Sequence, residues 1–282
     1  PVQLLLFLGI PFAIYTYVGK RSVKQTLKFS SATRFKPEFL IALPLGMAVF
    51  SVTIGVSSGW TGLLRMTGYT PSSGSPDLPD SFVPGYFVAE VLITAVLPAV
   101  CEEFAMRGGL LSTVRRGYGK AACIMFCAVM FGLFHQNIRQ VFYTSLFGAL
   151  AAFLVCETDS IFPAAIMHFT NNFCSVYFDY AARYGWLGGG LFGWLGAMPG
   201  WAFLAIIATV GLIGAAIVIL MLYVHDKSVL RERKRNAEYR TAPAEGEIVV
   251  SKPRNVEAAG IVALASIALI TTVFTYVWGF LY

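Results

Sequence analysis

Apolar stretches close to twenty residues long recur from one end of this chain to the other, and they decide the fold class before any motif is read. A segment of that length in hydrocarbon has no water to bond its backbone, so it satisfies its N–H and C=O groups internally as a helix. Composition agrees. Of 282 residues, 57% are hydrophobic and 13% charged, with a mean hydropathy of +0.68, where a soluble domain carries about 25% charged residues. The expected fold is all-α: a polytopic transmembrane helix bundle of about eight spans, forming a single integral membrane domain over residues 1–282.

The spans are expected at roughly 2–19, 38–56, 83–116, 120–136, 139–157, 160–179, 200–224 and 258–281. The first is long for a signal-peptide core and lacks a basic leader, so it reads as a membrane helix. The Gly/Pro-rich stretch 185–200 reads as a re-entrant segment or an interfacial loop. Basic residues gather in three connections: Lys20, Arg21, Lys24, Lys28, Arg34 and Lys36; then Arg115, Arg116 and Lys120; then Lys227, Arg231, Arg233, Lys234, Arg235 and Arg240. Eight spans put all three on one side, the cytoplasmic side by the positive-inside rule, and leave both termini extracytoplasmic. The opposite loops hold few cations (Arg65, Arg139, Arg183), and Trp60, Trp186 and Trp201 suit an interfacial belt.

Residues 225–258 form the one sizeable polar region, expected to be a basic cytoplasmic linker that is helical near the membrane. The net charge of +6 therefore points to phospholipid head groups of the bilayer and not to nucleic acid, for which no motif is present. The expected location is the plasma membrane of a prokaryote; the closing Phe280-Leu-Tyr282 carries no ER-retention signal. Five cysteines (Cys101, Cys123, Cys127, Cys156, Cys174) fall in or beside apolar spans, and their odd number implies no disulfide framework. Cys101, although it abuts Glu102, reads as core packing. His225 closes span seven and reads as an interfacial residue.

Ionisable residues inside a membrane span cost several kcal/mol unless paired or hydrated, so they point to function. Here they cluster: Glu102, Glu103 and Arg107 in span three, His135 at the end of span four, His168 and Asn172 in span six. Glu103 and Arg107 are four apart and share a helix face, which lets the guanidinium neutralise that carboxylate. Glu102 is turned about 100° away and is freer to act on a bound water. His168 and Asn172 are also four apart and share a face. Their depths agree. Glu103 lies about 20 Å of helix from the basic cap at Arg116, His135 about 22 Å from Lys120, and His168 and Asn172 about 12 and 18 Å from Ser160. The agreement requires span three to run as one helix through Arg107 to Arg116.

A carboxylate beside an imidazole activates water as a general base, and a second imidazole with an amide stabilises an oxyanion. That equipment suits peptide hydrolysis. No Ser-His-Asp set is recognisable, since Asp77, Asp80, Asp159 and Asp179 lie in or beside loops. Two histidines and a glutamate are also a possible zinc set, although the HExxH spacing is absent. Three further readings stand beside a hydrolase: a proton- or cation-coupled transporter using Glu102 and the histidines, a haem protein with His135 and His168 as axial ligands, and a non-catalytic membrane scaffold.

Glu102-Glu103-x-x-x-Arg107, Phe131-x-x-x-His135 and His168-x-x-x-Asn172, in that order on successive spans, resemble the three motifs of the CAAX-protease and bacteriocin-processing family, which includes the type II CAAX prenyl proteases. The motif-bearing core covers about residues 82–180. The resemblance implies a glutamate-dependent intramembrane endopeptidase with no obligatory metal cofactor, acting on a membrane-associated protein or small peptide, prenylated CAAX proteins being one such class. It implies that Glu102 and His135 bind and activate the water, that His168 and Asn172 form the oxyanion site, and that Glu103 and Arg107 support them. Met106 stands where relatives often have an aromatic residue, and of the paired Asn171 and Asn172 the spacing selects Asn172.

Cleavage activity of the purified protein is then expected to survive exhaustive chelation. Activity lost to a chelator and restored by zinc would return the metalloprotease reading.

Overall fold

The computed structural model describes residues 35–70, 78–115, 117–239, 266 and 268–277, with the side chains of the last long helix described as far as Arg231. The expected first span at 2–19, the basic residues before Phe35, Arg116, the linker beyond residue 239 and most of the eighth span lie outside the described residues. Every regular element among the described residues is helical. We label them α1 (Pro37–Met66), α2 (Pro84–Val114), α3 (Lys120–Phe134), α4 (Ile138–Thr158), α5 (Phe162–Tyr184), α6 (Leu191–Gly196), α7 (Gly200–Tyr239) and α8 (Ala268–Val277).

Four of these are long and apolar enough to cross a membrane: α1, α2, α4 and the Gly200–Arg231 part of α7. They coincide with four of the eight expected spans. α3 is apolar, but its 15 residues reach only about 22 Å, short of a hydrocarbon core about 30 Å thick. α5 has the length, at 23 residues, but carries His168, Asn171, Asn172, Asp179 and Arg183. Large apolar side chains such as Leu204, Leu212 and Ile219 stand exposed along α7, the pattern of a surface solvated by lipid. In place of a simple loop, the 185–200 stretch contains α6, whose approach turns through Gly185 at φ 70°.

α3 and α4 form an antiparallel hairpin, α5 packs against α1 and α2, and α7 packs along α1. The shared core contains Leu45, Cys127, Phe131, Leu154, Met167 and Met221. Small residues permit the closest contacts, as expected where lipid supplies no hydrophobic drive between helices. A Cβ on Gly46 of α1 would lie 2.5 Å from Thr170 Cβ and 2.7 Å from Met167 O on α5. His225 closes its span among protein neighbours. It is buried, because the opening turn of α1 folds against α7: its ring lies 5.6 Å from that of Phe39 and its Nδ1 3.6 Å from Glu38 Oε1.

α2 runs unbroken past Arg107, but not as a uniform α-helix. Two stretches, Val91–Val96 and Phe104–Leu111, are π-helical. The first precedes Pro98, which has no N–H to give Thr94 O and whose ring crowds that carbonyl; a wider turn relieves the clash, and Thr94 O has no i+4 N–H to accept from. The second contains Gly108 and Gly109, weak helix formers, and the Ser112 and Thr113 hydroxyls bond back to their carbonyls.

The α3–α4 turn is equally specific. Gln136 sits at φ 50°, a left-handed conformation that costs a non-glycine residue about 1 kcal/mol. Neighbours hold it there. Asn137 caps α4 by accepting from Arg139 N at 3.0 Å; Trp60 Nε1 donates to Ile138 O at 2.7 Å and Ile138 N donates to Thr275 Oγ1 at 3.0 Å. His135, the residue before the strained one, is fixed by the same framework.

Replacing Gly46 by leucine is expected to cost about 1–3 kcal/mol through overpacking, whereas Gly59→Leu, at a position where an added side chain meets open space, costs little. Thermal unfolding of the two detergent-purified variants checks this; equal midpoints would contradict the α1–α5 contact.

Candidate active site

Glu103 and Arg107 lie one turn apart on the inner face of α2, both side chains 0% exposed, and Arg107 Nη1 donates to Glu103 Oε1 at 3.0 Å. Arg107 Nη2 donates to Gly148 O of α4 at 3.2 Å, and the guanidinium lies 4.6 Å from the centre of the Phe131 ring. From α5, His168 Nδ1 donates to the same Glu103 oxygen at 2.9 Å. A carboxylate only accepts, so Nδ1 carries a proton. Desolvating an ion pair costs more than its attraction returns unless such hydrogen bonds complete it. Glu103 Oε2 and Arg107 Nε have no partner among the described residues.

Glu102 follows a different course. Its side chain is 16% exposed, and its Oε2 lies 3.9 Å from His168 Nε2. That is too long for a direct hydrogen bond, and it leaves both atoms open to one water about 2.8 Å from each. The two glutamates therefore do not face unrelated surroundings, as their 100° offset suggested. They flank one imidazole, Glu103 at Nδ1 in the interior and Glu102 at Nε2.

Glu102, His135, His168, Asn171 and Asn172 line a single cavity of about 690 Å³. All four residues expected to do chemistry are thus brought to one space, with Glu103 and Arg107 buried behind it. His135 Nδ1 donates to Phe131 O at 2.8 Å; a carbonyl only accepts, which leaves Nε2 of the neutral ring as an acceptor. Asn172 Nδ2 donates to Thr94 O at 3.1 Å, the carbonyl that Pro98 freed, and Asn171 Nδ2 donates to Asn172 Oδ1 at 2.9 Å. Among the described residues, no three His, Cys, Asp or Glu side chains converge as a metal-binding group. The five cysteines are free thiols.

Three contributors were given no role in the sequence reading. Phe131 is the shared wall of the site: its ring touches Arg107 and lies 5.0 Å from the His135 ring and 5.9 Å from that of His168. Its signal was a fixed position in the His135 motif. Thr94 is the second; its signal was Pro98 four residues on, which frees a carbonyl in any helix. Asn171 is the third, set aside because spacing favoured its neighbour.

A family model described as Rce1-like, type II CAAX prenyl endopeptidase Rce1-like, matches residues 84–174. The matched stretch begins with α2 and ends two residues beyond Asn172. No curated protein and no solved structure is significantly similar to the chain.

Removing the cation should be severe. Arg107→Met leaves the Glu103 carboxylate buried without its guanidinium, with only His168 to answer it, at a cost of about 3–5 kcal/mol, and a further Glu103→Gln change should recover much of it. Thermal midpoints and folded yield test this; an Arg107→Met protein as stable as wild type would mean the pair does not hold the helices.

Proposed function

We propose that this chain, whose residues 84–174 match the Rce1-like type II CAAX prenyl endopeptidase family model, is an intramembrane endopeptidase in which Glu102 activates the attacking water. The substrate is a membrane-associated protein or small peptide, prenylated CAAX proteins being one such class. The observation that carries this reading is the contrast between adjacent carboxylates. Glu103 is consumed by Arg107 and His168, while Glu102 faces the cavity with no salt bridge to an arginine or lysine among the described residues.

In the proposed reaction, Glu102 and the Nε2 lone pair of His135 hold the water and Glu102 takes its proton as the oxygen attacks the peptide carbonyl. The carbonyl oxygen becomes an oxyanion facing His168 and Asn172. His168, as an imidazolium balanced by Glu103, donates from Nε2; Asn172 donates the Nδ2 hydrogen that Thr94 O does not take. Both donors are held before the charge develops, so little reorganisation opposes the step. Collapse of the intermediate breaks the C–N bond, and the proton on Glu102 passes to the leaving amine. The separation of Glu102 Oε2 from His168 Nε2, 3.9 Å, suits a base and an oxyanion donor serving two oxygens on one carbon.

Glu102→Gln and His135→Ala are each expected to lower kcat by about a hundredfold or more in an unbiased peptide and membrane-protein cleavage assay. Cleavage that survives both changes in folded protein contradicts the mechanism. Proton or cation flux across proteoliposomes, without cleavage, would favour a transporter.

A further inference from the structure

Asn171 carries an unexplained cost. Its Oδ1 is enclosed and has no hydrogen-bond partner among the described residues, although the side chain borders the cavity. A buried acceptor left unpaired is destabilising, and native proteins keep few of them. Its orientation is not arbitrary. Thr94 O can only accept, so Asn172 must turn Nδ2 toward it, at 3.1 Å. Asn172 Oδ1 then faces Asn171, which must answer with a donor, Nδ2 at 2.9 Å. The chain of obligations ends at Asn171 Oδ1, which has no partner among the described residues.

We propose that Asn171 is a positioning residue that fixes the amide of Asn172 between itself and Thr94 O, aiming the second Nδ2 hydrogen of Asn172 at the oxyanion. The inference rests on the peptidase reading above. With both ends of the Asn172 carboxamide engaged, one from its own helix and one from α2, the group cannot flip. A flipped amide would present Oδ1, an acceptor, to the developing negative charge. Asn171 is thus held against stability for the sake of geometry, the trade expected where a site is kept preorganised. The freed Thr94 carbonyl is the fixed end of the clamp, which ties Pro98 on α2 to the geometry of α5.

Ordinary packing predicts that stability and activity fall together when Asn171 is changed; the clamp predicts that they separate. Asn171→Leu keeps the side-chain shape and deletes both the unpaired acceptor and the donor to Asn172. It should leave the thermal midpoint unchanged or raise it by about 2–4 °C, lower kcat by at least about tenfold, part of the hundredfold or more that losing an oxyanion donor costs, and leave KM near the wild-type value. A lowered midpoint, or an unchanged kcat, overturns the inference. Asn172→Ala should lose activity at least as far, and adding Asn171→Leu to it should cost nothing more. Additive losses would show that Asn171 does not act through Asn172. Glu102→Gln separates the two claims: cleavage that survives it sinks the peptidase mechanism, whereas the midpoint of Asn171→Leu is read without substrate and still decides whether Asn171 is held against stability.

Discussion

The Glu103 carboxylate is the constraint on which the rest of the site depends. It lies on α2, accepts from Arg107 on the same helix and from His168 on α5, and through Arg107 reaches Gly148 O on α4. Three helices meet at one buried charge. In lipid, where apolar faces gain nothing by leaving solvent, such polar contacts and close small-residue packing supply the specificity that a hydrophobic core gives a soluble protein. A pair of this kind is poor evidence for net stability. Its better-supported role is register: Arg107 Nη1 and Nη2 and His168 Nδ1 each reach an acceptor only when α2, α4 and α5 stand in this alignment.

From that fixed point the chemistry follows by one step along the chain. Glu102 shares the backbone geometry of Glu103 but not its partners, so the same helix turn supplies a structural carboxylate and an available one. His168 joins them, its Nδ1 committed and its Nε2 turned to Glu102. The π-helical stretches adjust α2 on either side of this turn. On the first, Thr94 O accepts from Asn172, and on the second, Arg107 donates to Gly148 O of α4. Irregular helix here is tolerated because every disturbed carbonyl named above finds a side-chain donor.

Much of this was legible in the sequence, for identifiable reasons. The helix class followed from apolar length, and the Glu103–Arg107 pair from a spacing of four, a local property that a helix fixes. Convergence of Glu102, His135, His168 and Asn172 on one space was anticipated by counting rise per residue from the basic caps, and α2 continues past Arg107 as far as Val114. What spacing did not carry was anything set by a second helix. Glu103 was assigned to Arg107 alone, because the approach of His168 from α5 has no local signature. The burial of His225 depends on the fold of α1 over α7, and the place of Asn171 depends on a carbonyl supplied by α2.

The central claim is that two adjacent glutamates do different work, and a side-by-side comparison of Glu102→Gln with Glu103→Gln tests it most directly. Each purified protein is measured for single-turnover cleavage and for thermal midpoint. Glu102→Gln is expected to keep the wild-type midpoint and lose turnover, while Glu103→Gln lowers the midpoint because Arg107 is left buried without its carboxylate. Turnover retained in folded Glu102→Gln, or a Glu103→Gln protein as stable as wild type, would contradict that division of roles.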